Sequence, residues 1–172
     1  MAQLLRLERL FASLAVLMAA VGAAIVIVQM LWISYGVLMR YVFRSPDRMA
    51  TEATALLLFP VAFVGLAYAL KENALPRVTI FTDMLPASVR RLVDIFNACV
   101  VFAIGTFFAC AAIRGTFNSY MTGAASEILL WPRYLFWTPA ALALLVFSAY
   151  SAIRTALLVL DPGGRRDEDA VV

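Results

Sequence analysis

Histidine is absent from this 172-residue chain. That removes the commonest general base, the usual axial ligand of haem and the imidazole of most zinc sites. Charge is scarce as well: Asp, Glu, Lys and Arg make up 15% of the residues, against about 25% in an average soluble domain. Cysteine occurs twice, at Cys99 and Cys110, both inside one apolar run. On a helix that spacing is a rise of about 16 Å, beyond disulfide reach, so both are expected to be small core residues. The chain shows no Ser/His/Asp set, no phosphate-binding glycine loop and no metal box. Nothing in it calls for a cofactor or for enzymatic chemistry.

What is present is apolar. Hydrophobic residues make up 64% of the chain and mean hydropathy is +0.90, the composition of an integral membrane protein. The net charge of +3 is scattered over loops and ends, which suits membrane orientation and not nucleic-acid binding. A spanning helix needs about 20 predominantly apolar residues, and four runs qualify: about 10–39, 50–70, 92–113 and 134–160. The first is too long for the h-region of a signal peptide and is expected to remain as a helix. Its amphipathic start, Leu4 to Phe11, is expected to lie in the interface. The predicted fold is therefore an all-α membrane protein of four transmembrane helices, followed by a polar tail over 161–172.

Four spans put both ends on one side. That side carries Arg6, Arg9, Lys71, Arg77, Arg90, Arg91, Arg154, Arg165 and Arg166, and the other carries Arg40, Arg44, Arg48, Arg114 and Arg133. The excess of positive charge predicts that both termini are cytoplasmic. The lipid bilayer itself is then the first partner.

Within lipid, helices associate through small residues and polar contacts. Ala15, Gly22, Gln29 and Gly36 form one stripe at spacing seven; Ala98, Gly105 and Ala112 form a second, with Ala109 beside it. Ala141, Ser148 and Thr155, with Ala152, form a third, and Ala62, Gly65 and Ala69 mark the second helix. Such stripes hold the four helices to one another or meet another subunit. Pro60 sits mid-span and is expected to kink the second helix. Ionisable groups at membrane depth are nearly missing: Gln29 is the polar residue of the first span, Asp94 and Asn97 lie near the start of the third, and Arg154 can snorkel from the end of the fourth. A chain that conducted or catalysed alone should show more, so an auxiliary role is expected.

The charged corner between the first two spans, Arg40 to Glu52, is the most distinctive stretch. Ser45-Pro46-Asp47 reads as a helix start, which places Glu52 at or just below the interface. Its carboxylate needs a partner, and Arg48, Arg40 and Arg44 are near. The corner is either a salt bridge fixing the first hairpin or an edge on which another protein docks.

Arg40-Tyr41-Val42-Phe43, a loop with Pro46, and Glu52 opening a helix resemble the small permease subunit of TRAP transporters (tripartite ATP-independent periplasmic transporters, DctQ-like). The resemblance continues through Gly65, Arg77-Val78, Leu85-Pro86 with Arg90 and Arg91, then Ser119, Gly123, Ser126, Trp131-Pro132 and Pro139. It covers roughly 36–139. The chain departs from the pattern at Met49, where the family often has tryptophan, at Thr51-Glu52, where it has an acid pair, and at Asn73 and Leu75, where it has glycine and histidine. The resemblance implies a non-catalytic subunit of the bacterial inner membrane. It would brace a large permease subunit, help dock a periplasmic substrate-binding protein, and serve sodium-coupled uptake of an organic acid. Gln29, Gly36, Arg40, Tyr41, Arg44, Arg48, Glu52, Gly65, Arg77, Gly105, Trp131 and Pro132 are the structural or subunit-interface candidates. The rival readings are a self-assembling small exporter or channel, and a membrane anchor of a redox enzyme, which the lack of histidine disfavours.

Overall fold

The structure, a computed structural model, describes residues 2–45, 48–74 and 86–160. These residues are helical apart from short connections and one isolated bridge. Helix α1 covers Ala2–Tyr41 and α2 covers Arg48–Val64; α3 covers Leu66–Lys71, α4 covers Ala87–Met121 and α5 covers Tyr134–Leu160. Four spans long and apolar enough to cross a membrane result, with α2 and α3 together forming the second.

The second span is interrupted at Gly65, whose φ of −81° and ψ of −13° remain right-handed. Pro60 lies inside α2, and the helix continues through it. The proline ring is buried, which turns the position lacking an N–H inward and away from lipid. The inward face of the second span is Ala53, Pro60, Val64, Ala67 and Leu70. Ala62 and Gly65 are exposed and Ala69 is half-buried, so the small residues expected to pack there lie mostly on the outer face.

On the other helices the predicted stripes face inward. Ala15, Gly22 and Gln29 are buried on α1, and Gly36 is half-buried. Gly105, Ala109 and Ala112 are buried on α4, with Ala98 half-buried, and Ala141 and Ser148 are buried on α5. Small side chains at spacing seven bring the backbones close along one shallow seam.

Helix α5 is the hub. It packs against α1, α2, α3 and α4, whereas the backbone of α4 approaches α5 alone. One core cluster joins Ala15, Ala67, Leu70, Phe147 and Tyr150; a second joins Ala109, Ala112, Ala141 and Leu144. Helix α4 is seated by glycine: a Cβ on Gly105 would stand 2.8 Å from the Phe147 ring, and one on Gly115 would overlap Trp137.

Two expectations are corrected. The third helix, with 35 residues and a length of about 52 Å, extends well past 92–113, so Arg114 is an exposed helical residue and not part of a loop. Cys99 and Cys110 are exposed and not core residues. Eleven positions is close to three whole turns, so both fall on one face of α4, and that face is turned away from α5.

Candidate functional site

The end of the bundle that holds the first and third connections is organised by Glu52. This residue lies in the second turn of α2 and is half-buried. Its carboxylate accepts four hydrogen bonds from three consecutive backbone N–H groups of the connection between α4 and α5. Glu127 donates to Oε1 at 2.6 Å, Ile128 to Oε1 at 3.1 Å and to Oε2 at 3.0 Å, and Leu129 to Oε2 at 2.7 Å. Successive N–H groups converging on a carboxylate form an anion nest, and bonds to an ionised acceptor are the strong kind. Arg133 adds a positive charge on the same side.

The loop is built to present those donors. Helix α4 ends in a Schellman arrangement: Gly123 takes φ +61°, its N–H reaches the Tyr120 carbonyl at 3.3 Å, and the Ala124 N–H reaches that of Ser119 at 3.1 Å. A bridge between Ala125 and Pro132 then closes a short hairpin. Within it Ser126 N–H donates to the Trp131 carbonyl at 2.9 Å, and Trp131 N–H donates to Ser126 Oγ at 3.0 Å. Arg133 N–H donates to the Ala124 carbonyl at 2.9 Å. Leu130 turns the tip with φ +53°. Trp131 stacks on Phe136 at 6.1 Å between ring centroids.

The opposite end of the second span is held by a cation. Arg154 of α5 donates from Nη1 to the Leu70 carbonyl at 2.5 Å and from Nη2 to Asn73 Oδ1. Carbonyls of a helix's last turn lack intrahelical donors, and a guanidinium satisfies them and suits the dipole there. Asn73 sits at φ +51°, a left-handed conformation that asparagine tolerates almost as glycine does. This accounts for asparagine where the resemblance has glycine.

Between the two ends the polar side chains join helices. Gln29 Nε2 donates to the Thr54 carbonyl at 3.2 Å, linking α1 to α2. Thr106 and Ser148 hydroxyls meet at 2.8 Å across α4 and α5, and Thr155 Oγ1 donates to the Ala98 carbonyl at 3.3 Å.

The candidate residues thus part company. Glu52, Trp131 and Pro132 meet in one clamp, while Gln29 and Gly105 belong to helix packing. Arg40 and Arg44 are exposed, and Arg40 lies 5.9 Å from the Tyr41 ring. Neither pairs with Glu52 among the described residues, so the expected salt bridge from these two arginines gives way to the loop nest. Tyr41 and Gly65 are exposed, the latter with open space around it. The side chain of Arg48, with Pro46, Asp47 and Arg77, lies outside the described residues. The nest escaped sequence reading because its donors are backbone groups, which any residue supplies. Its one visible signal was an acid near the start of a membrane span with a polar, proline-bearing loop later in the chain.

Fold and site together define a class: a multi-pass helical membrane protein whose polar groups tie helices and loops to each other. Residues 29–158, three-quarters of the chain, match the family described as tripartite ATP-independent periplasmic transporters, DctQ component. The chain belongs to that family. No curated protein matches it.

Proposed function

We propose that this chain is the small, non-catalytic subunit of a TRAP-type secondary transporter in a bacterial inner membrane, with both termini cytoplasmic and residues 161–172 as a polar tail. It braces the large permease subunit and helps dock a periplasmic substrate-binding protein during sodium-coupled uptake of an organic acid. One observation carries the reading beyond the family: Gln29, Thr106, Ser148 and Thr155, four of the polar side chains at membrane depth, reach neighbouring helices. A transport path needs polar groups turned to a lumen; a brace needs them turned to its own helices. The Glu52 nest supports the docking role, because it fixes the loop that carries exposed Ile128, Leu130 and Trp131.

The test is reconstitution. The chain and the large subunit are expected to co-purify, and uptake of an organic acid in proteoliposomes should need both subunits and the binding protein. Uptake that survives removal of this chain, or ion flux through this chain alone, would refute the proposal; the second result would favour a self-assembling channel.

A further inference from the structure

Helix α1 carries two seams. The inner one, Ala15, Gly22, Gln29 and Gly36, packs against the bundle. The outer one is made of Leu10, Leu14, Leu17, Val21, Ala24, Val28, Leu31, Tyr35 and Leu38, with Val42 just past the helix end, and every one of these residues is exposed. Their spacing alternates four and three over five heptads, the a/d pattern of a coiled coil. The helix's other polar residues from Leu10 onward, Ser13, Gln29, Ser34 and Arg40, all fall off that seam.

The seam also outruns the second span. The hydrogen bond from Gln29 to Thr54 sets those two residues at one level. Beyond it α1 continues to Tyr41, about 18 Å, while α2 reaches back only to Arg48, about 9 Å. The last two turns of α1 therefore extend past the start of α2 and beyond the level of Glu52. Tilting does not hide them. The apolar run 10–39 is about 45 Å long and would need more than the roughly 40° reached by spanning helices to fit a core of about 30 Å. Helix α1 lies along the second span from Ala15 beside Ala67 and Leu70 to Gln29 beside Thr54, so the two tilt together. Tyr35, Val37, Leu38 and Tyr41 in those turns are between 50% and 74% exposed, and just before them Ser34 turns its hydroxyl back to the Met30 carbonyl at 2.8 Å. An apolar helix end of this kind, above the bilayer core, suits neither water nor lipid tails. Its tip carries Arg40 and Arg44, which face no carboxylate within ion-pair distance among the described residues.

We infer that the outer seam of α1 is the surface on which another membrane subunit lays a long apolar helix. That helix projects past the bilayer beside α1 and ends in acidic side chains opposite Arg40 and Arg44. The heptad spacing calls for a helix, the overshoot calls for a long one, and the arginines call for carboxylates. The inference rests on the proposed pairing with a large permease subunit and names the face that would make it.

The test uses a photo-crosslinking amino acid placed singly at Leu31, Leu38 or Phe107 in the full chain, expressed with the large subunit. Phe107 is an equally exposed position on α4. Crosslinks to the large subunit are expected from Leu31 and Leu38, several-fold above those from Phe107. The double substitution Leu31→Ala and Leu38→Ala should lower co-purification several-fold and leave the thermal unfolding of the lone chain unchanged. Crosslinks from Phe107 alone, or from the seam only to a second copy of this chain, would overturn the inference and leave the proposed function standing. Failure of the subunits to co-purify at all would overturn both.

Discussion

The second and third spans are both held to α5, but by different means. Beyond its apolar packing, the second carries polar ties at its ends: Glu52 grips the α4–α5 loop, and Arg154 grips the end of α3. The third is tied along its length, by Gly105 under Phe147, Gly115 under Trp137 and the Thr106–Ser148 hydroxyl pair. End ties use charge on backbone groups of a loop or a helix end; length ties use close approach of backbones. The two classes should therefore fail differently. Loss of an end tie frees a loop or frays a helix end while the spans stay packed. Loss of a length tie pushes two helices apart while the loops stay closed.

The largest effect is expected at Glu52. Glu52→Ala removes the acceptor of three N–H groups at once, so exchange of the Glu127, Ile128 and Leu129 amides should rise to that of an open loop. Glu52→Gln, which keeps one carbonyl oxygen, should fall between. Unchanged exchange in the alanine variant would break the distinction between the two kinds of tie. Gly115→Leu comes next. Overpacking costs about 1–3 kcal/mol, read as a lowered unfolding midpoint in detergent, with exchange at Glu127 to Leu129 unaltered. Arg154→Met should act more locally, raising exchange around Leu70 to Ala74 and leaving the opposite end protected. The smallest effect belongs to Thr106→Val with Ser148→Ala. Interhelical hydrogen bonds in membranes average about 0.6 kcal/mol, so the midpoint should move by only about 1–2 °C. A shift as large as that of Gly115→Leu would mean that the hydroxyls, and not the glycines, seat α4.

Much of this architecture was legible in the residues. Apolar runs longer than a bilayer core announced four spans, and stripes at spacing seven announced the inward faces of α1, α4 and α5. The second span misled because Ala62 and Gly65 are small without being inward; Val64, Ala67 and Leu70, larger on average, carry that face. The third helix ran past Arg114 because a charge ends a hydrophobic run and not a helix; only Gly123, with its positive φ, does that. Glu52 stood out as an acid needing a partner, but its partner could not be read, because three main-chain N–H groups leave no mark in a sequence. Arg154 was expected at the interface for its long side chain, and its role as the cap of α3 depended on Asn73, whose left-handed turn is a property of the folded chain.

The sequence separation across the Glu52 clamp has a consequence for biogenesis. The carboxylate enters the bilayer region with the second span, and its first donor lies 75 residues later, at Glu127. That donor reaches it only after α4 has crossed the membrane and the chain has turned back toward α5. Until then Glu52 is an acid in the second turn of a membrane span with its nest not yet made. The clamp is a late closure in assembly, and it turns correct insertion of the second half of the protein into a condition for settling a charge placed by the first.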